Sequence, residues 1–167
     1  RTFEEEFQKR KIPYEIFGGV RFYDRKEVKD ILAYVRVLVN PKDSLSLKRV
    51  INTPARGIGK KTVELLEQYA DRHDLPLREA LSQVPQGGIE GLGSGARQKL
   101  GEFSKALDRW FHQMKSLRLP DLVKMIIEES HYEADLEKQE TIEAENRLEN
   151  LRELLNVLED FVRTNSS

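Results

Sequence analysis

Lys48-Arg49-Val50-Ile51-Asn52-Thr53-Pro54-Ala55-Arg56-Gly57-Ile58-Gly59-Lys60-Lys61-Thr62 is the stretch on which the reading of this chain turns. Upstream, Leu47, Val50 and Ile51 recur at helical spacing in a short helix that Ser44 can cap and that stops before Pro54. Downstream, Val63, Leu66, Tyr69 and Ala70 mark one face of a second helix, which Thr62 can cap. Two helices are thus joined through glycine, a hydrophobic residue and glycine. The glycines permit a tight turn and let an anion approach the main chain with no Cβ in the way, while Ile58 can anchor the turn in a core. Unpaired amides at the start of the second helix would face that anion, assisted by the helix dipole.

The helical signal extends over most of the remaining chain. Asp24 followed by Glu27 reads as a capping box for a helix carrying Val28, Ile31, Leu32, Val35, Leu38 and Val39, ended by Asn40-Pro41. Leu77, Ala80, Leu81 and Val84 predict another short helix, and residues 85–95, with five of the ten glycines, a loop. Leu100, Phe103, Leu107, Trp110, Phe111 and Met114 form the apolar stripe of a long helix and are read as core. Pro120 suits the first turn of a helix with Leu122, Val123, Ile126 and Ile127. A last helix is expected over Thr141 to Val162, with Ile142, Leu148, Leu151, Leu154, Leu155, Leu158 and Phe161; the ending Thr164-Asn165-Ser166-Ser167 reads as frayed or cut. At the other end, Arg1, Phe3 and Phe7 share a helical periodicity, and Pro13 to Phe17 alternates like a strand until Gly18-Gly19 breaks it. A lone strand leaves its backbone groups unpaired, so it is expected to belong to a sheet outside this sequence. The fold class expected is mainly α: a helical domain with a glycine hairpin, plus an N-terminal helix-strand remnant.

The 167 residues, 38% hydrophobic, suffice for one ordinary core. The net charge of -1 gives no global sign of a nucleic-acid protein, so any such contact must be local. It is unevenly spread. Between Lys42 and Val63 six cations face Asp43 alone, whereas between Glu128 and Asp160 twelve acids face three cations, a pattern read as a solvated helix face. The absence of cysteine excludes disulfides and thiol-based metal or redox chemistry. No apolar run approaches the roughly 20 residues of a membrane span and no signal peptide opens the chain, so a cytoplasmic protein is expected.

The glycine segment resembles a helix-hairpin-helix, a DNA-binding element of repair and replication proteins. Arg56, Lys60 and Lys61 would add Coulombic attraction to phosphates around Gly57, Ile58, Gly59 and Thr62, holding a duplex without reading its sequence. A nucleotide phosphate loop is excluded, because no Gly-Lys-Ser or Gly-Lys-Thr occurs and no strand precedes the glycines. Gly91-Leu92-Gly93-Ser94-Gly95-Ala96 echoes the first turn but lacks its lysines, which predicts weaker phosphate affinity and a flexible connection. Glu128-Glu129 with His131, and His73 with Asp74, are the polar clusters outside the turn. Neither has partners at catalytic or metal spacing, and His112 reads as a packed or half-exposed residue and not as a ligand, so no catalytic or metal site is expected.

Tyr14-Glu15-Ile16-Phe17-Gly18-Gly19, Phe22, Arg25, Glu27-Val28-Lys29-Asp30, Ala33-Tyr34, Arg36, Asn40-Pro41, Arg49, Asn52, Pro54, Arg56-Gly57-Ile58-Gly59, Thr62 and Arg147-Leu148-Glu149-Asn150-Leu151 are together similar to the UvrD/PcrA/Rep-type superfamily 1A DNA helicases, the PcrA branch most of all. The resemblance implies that Arg1 closes a motor motif and that residues 1–23 are a piece of motor domain 2A. Residues 24–167 would be the helical 2B subdomain, which swivels and in its closed form grips duplex DNA ahead of a fork through the Gly57-Ile58-Gly59 hairpin. The parent would be an ATP-driven 3'-5' helicase of repair or replication, with ATP and Mg²⁺ held elsewhere in it and the fragment itself inactive and without a cofactor. Implied partners are double-stranded DNA at a fork or junction, helicase domains 1A, 1B and 2A, and a regulatory protein; the alternative is a helical module that receives a protein partner. The family often has consecutive acids after the Asn-Pro pair, where this chain has Lys42-Asp43-Ser44, making that corner more basic.

Overall fold

The computed structural model describes residues 20–165. The helix and strand expected over residues 1–19, and Arg1 with them, lie outside the described residues. Every regular element among those described is helical. In order they are α1 (Val20–Tyr23), α2 (Lys26–Val39), α3 (Ser44–Val50), α4 (Lys60–Arg72), α5 (Leu77–Ser82), a 3-10 turn (Val84–Gln86), α6 (Ser94–Met114), α7 (Leu119–Glu129), α8 (Tyr132–Gln139) and α9 (Ile142–Thr164).

Helix α2 is central. It buries Val28, Ile31, Tyr34, Val35 and Leu38 and packs on α3, α6, α7 and α9. That broad apolar face is what the 3.6-residue period produces when neighbours cover most sides of a helix. Burial of each large apolar side chain contributes roughly 1.5–3 kcal/mol. The largest is Trp110 of α6, whose ring meets Tyr34 edge-on at 5.8 Å and whose indole N–H donates to Glu129 at 2.9 Å. Phe22 and Tyr23 of α1 join the same core. The stripe on α6 is core at Leu100, Phe103, Leu107 and Trp110, while Phe111 is 36% exposed.

Helix starts depart from the expected caps, and the reasons are local. Asp24 and Glu27 form no capping box. Arg25 stands at the N-cap without a side-chain capping bond, its guanidinium donating to Asn150 instead, and Glu27 is buried, accepting a hydrogen bond from Asn150 Nδ2 at 2.6 Å across to α9. Asp43, not Ser44, caps α3 by accepting from the Ser46 N–H at 3.0 Å; Ser44 Oγ instead receives the Leu77 N–H at the start of α5. Thr62 is no cap either, because α4 already starts at Lys60 with Gly59 at the N-cap. Thr141 does cap α9, through the Ala144 N–H at 3.0 Å. Helix α8 was not expected from the sequence, and Ile142, expected in the apolar set of α9, is 78% exposed.

Candidate nucleic-acid interface

The turn between α3 and α4 is built around two side chains. Asn52 Oδ1 accepts the N–H of Arg56 at 2.8 Å and of Ile58 at 3.1 Å, so the loop curls about a single oxygen. The Thr53-Pro54 bond is cis. The Arg56 guanidinium points inward: Nη1 donates to the carbonyls of Val50 (2.6 Å) and Ile51 (2.8 Å), and Nη2 to the Tyr34 hydroxyl (2.5 Å). Those carbonyls are among the C-terminal acceptors that α3 cannot satisfy itself. The same guanidinium lies 4.4 Å from the centre of the Phe103 ring. Tyr34 donates onward to the Thr53 carbonyl at 2.5 Å. Burial raises the Tyr34 phenol above its usual range, an effect that the neighbouring Arg56 charge partly offsets. Ile58 is 1% exposed and anchors the turn.

The outer side of the turn faces solvent. Gly57, Gly59, Lys60 and Lys61 are exposed, and Thr62 is half-buried. Gly57 adopts φ +79°, where a Cβ would be strained. The backbone N–H groups of Gly59, Lys60, Lys61 and Thr62 form no hydrogen bond with any described residue, and the first turn of α4 contains no acid to oppose the dipole. Charge sorts in the same way. Lys48 pairs with Glu67 at 3.3 Å, Arg49 with Asp30 at 2.8 Å, and Arg56 is spent inside the fold. Lys60 and Lys61 make no ion pair with a described residue.

The echo at Gly91-Leu92-Gly93 is also a backbone echo. Gly91 has φ +87°, and Gly93 caps α6 with φ -74° and ψ 169°, against -77° and 173° for Gly59. Asn52, Tyr34 and Lys99 are the residues at the turn that its local sequence does not announce. A Cβ added to Gly57 would lie 2.6 Å from Lys99 Nζ, so a lysine of α6 lies across the turn. Asn52 and Tyr34 appear only in the family pattern, and Lys99 in neither.

The other polar clusters are used structurally. Glu129 receives the Trp110 indole N–H, and the His73 ring lies 4.2 Å from that of Tyr69. Among the described residues no group of three or more His, Cys, Asp or Glu could hold a metal ion, and no helix is long and apolar enough to cross a membrane. Beside α2, a groove of about 430 Å³ runs between Val37, Leu38, Pro41, Leu107 and Phe111, with Arg78 and Asp108 paired at its rim.

Residues 1–91 match the UvrD-like helicase C-terminal domain. The chain is also similar to the ATP-dependent DNA helicase PcrA of Staphylococcus epidermidis, with 37% identity over 161 residues, which is 96% of this chain and 22% of that protein. The ATP-dependent DNA helicase PcrA of Staphylococcus aureus is 35% identical over the same lengths. The chain therefore spans about a fifth of the length of the curated relatives it matches.

Proposed function

We propose, from the premise that this chain belongs to the UvrD-like helicase C-terminal domain family, that it is the 2B portion of an ATP-dependent 3'-5' DNA helicase and grips duplex DNA by its phosphates. Residues 24–167 are assigned to 2B and residues 1–23 to the motor domain 2A that carries it. The observation that carries the reading is the run of unbonded amides from Gly59 to Thr62 with Lys60 and Lys61 unpaired beside it. Main-chain donors, a helix dipole and two free ammonium groups suit an anion that recurs along a backbone, and none of them reads a base edge. Gly59 keeps the approach open, with nothing within 4 Å of where a Cβ would stand, Ile58 anchors the turn from within, and Arg56 is a positioning residue that ties the turn to α3.

ATP and Mg²⁺ are assigned to the motor portion of the parent. The described residues do not fit them: Gly59-Lys60-Lys61 lacks the hydroxyl residue that a phosphate loop places on the metal, and the turn follows a helix instead of a strand. The chain alone is expected neither to hydrolyse ATP nor to unwind DNA. Domains 1A, 1B and 2A, and duplex DNA at a fork or junction in the cytoplasm during repair or replication, are the partners this role requires.

Titration of a mixed-sequence duplex at about 50 and 200 mM salt tests the reading. Lys60→Glu and Lys61→Glu should each weaken binding several-fold at low salt and flatten its salt dependence, and Gly57→Val should disturb the turn itself. Unchanged binding in all three variants would refute it. A second reading, a module that receives a regulatory protein, is favoured by the apolar groove at Phe111. Partner capture that survives high salt and nuclease, together with no duplex affinity, would select it.

A further inference from the structure

The basic segment around the turn is less basic than its composition. Three of its cations are consumed internally: Lys48 by Glu67, Arg49 by Asp30, and Arg56 by backbone carbonyls and Tyr34. A hairpin with two free lysines is modestly equipped, because each phosphate contact contributes only about one released counterion to binding.

The fold supplies another cation from a distant part of the chain. Lys99 lies on the exposed side of α6, in its second turn, beyond the helix's first four amides. Its side chain crosses Gly57, with Cδ and Cε 2.9 Å and Nζ 2.6 Å from the position a Cβ would take. A lysine stem occupies the space that a side chain at position 57 would fill. Its ammonium makes no hydrogen bond or ion pair with any described residue, and nearby Glu102 is bonded to Gln98 instead. A long flexible cation held over a turn that already carries Lys60 and Lys61 adds like-charge repulsion in the free protein, and a phosphate between them reverses its sign.

We infer that Lys99 is a binding residue of the hairpin, delivering its ammonium over Gly57 to a phosphate of the same duplex that the Gly59–Thr62 amides face. The inference rests on the hairpin reading and extends it from a contiguous motif to a site built from two helical segments. It also gives Gly57 a second reason to lack a side chain, beyond its backbone angle.

The test is the same duplex titration at two salt concentrations on the 167-residue chain, with Lys99→Ala, Lys99→Arg and Lys60→Ala beside wild type and a thermal melt of each. Lys99→Ala should lose about three- to tenfold in affinity at low salt, reduce the log-log salt slope by about 0.9 and leave the melting midpoint unchanged, and Lys99→Arg should restore most of the binding. Wild-type affinity and slope in Lys99→Ala, with Lys60→Ala weakened, would overturn the role of Lys99 and leave the hairpin reading standing. A lowered midpoint in Lys99→Ala with binding that Lys99→Arg fails to restore would make the residue structural and overturn it too. No salt-dependent binding by wild type, or none lost in either alanine variant, would bring down the hairpin reading and Lys99 with it.

Discussion

Arg56 and Lys60 carry the same charge within one turn, yet they do opposite things. Arg56 bridges two carbonyls and a hydroxyl that only a planar, forked donor reaches together, while Lys60 is a free point charge at the opening of α4. Removing the fork leaves the Val50 and Ile51 carbonyls without it, so Arg56→Ala should cost about 2 kcal/mol in urea unfolding, and Arg56→Lys should recover little of that. Lys60→Ala should leave the unfolding midpoint nearly unchanged. The glycines, the lysines and the anchoring Ile58 were legible from residue type. The direction of Arg56 was not, since its partner Tyr34 sits on another helix and charge counting treats every cation alike.

Elements were legible in proportion to their apolar content. α2, α6 and α9 hold long 3.6-residue stripes, and the period identifies them from sequence. α8 escaped because it buries only Tyr132 and Leu136 among charged neighbours, fenced by His131 and Glu140 in left-handed conformations that the sequence does not mark with glycine. Caps were harder, because several Ser, Thr and Asp residues compete near each start and a shift of one position changes which side chain reaches an amide. Thr141 holds the Ala144 N–H, so Thr141→Ala should lower stability by about 1 kcal/mol in thermal or urea melts. Thr62→Ala, inside the first turn of α4 with no cap to lose, should stay within about 0.5 kcal/mol of wild type.

Across the molecule the turn between α3 and α4 is fixed from behind. The buried carboxylate of Asp30 joins Lys26 (2.8 Å), Arg49 of α3 (2.8 Å) and the Tyr132 hydroxyl of α8 (2.6 Å), so the helix leading into the turn is tied to the C-terminal half. Burial, then the hydrogen bond to Asp30, raises the Tyr132 phenol far above its usual range and keeps it a donor. Composition located the basic segment and the acidic C-terminal part of the chain, but only packing shows that part of the basic segment is neutralised and that α6 brings Lys99 back over the turn. The central claim is that main-chain amides at the opening of α4 receive a duplex phosphate, and amide chemical shifts followed by NMR during titration with a short duplex test it most directly. The account predicts that Gly59, Lys60, Lys61 and Thr62 move first and furthest, and that added salt reverses the change. Shifts confined to the groove around Phe111, with those four amides unmoved at saturation, would contradict it.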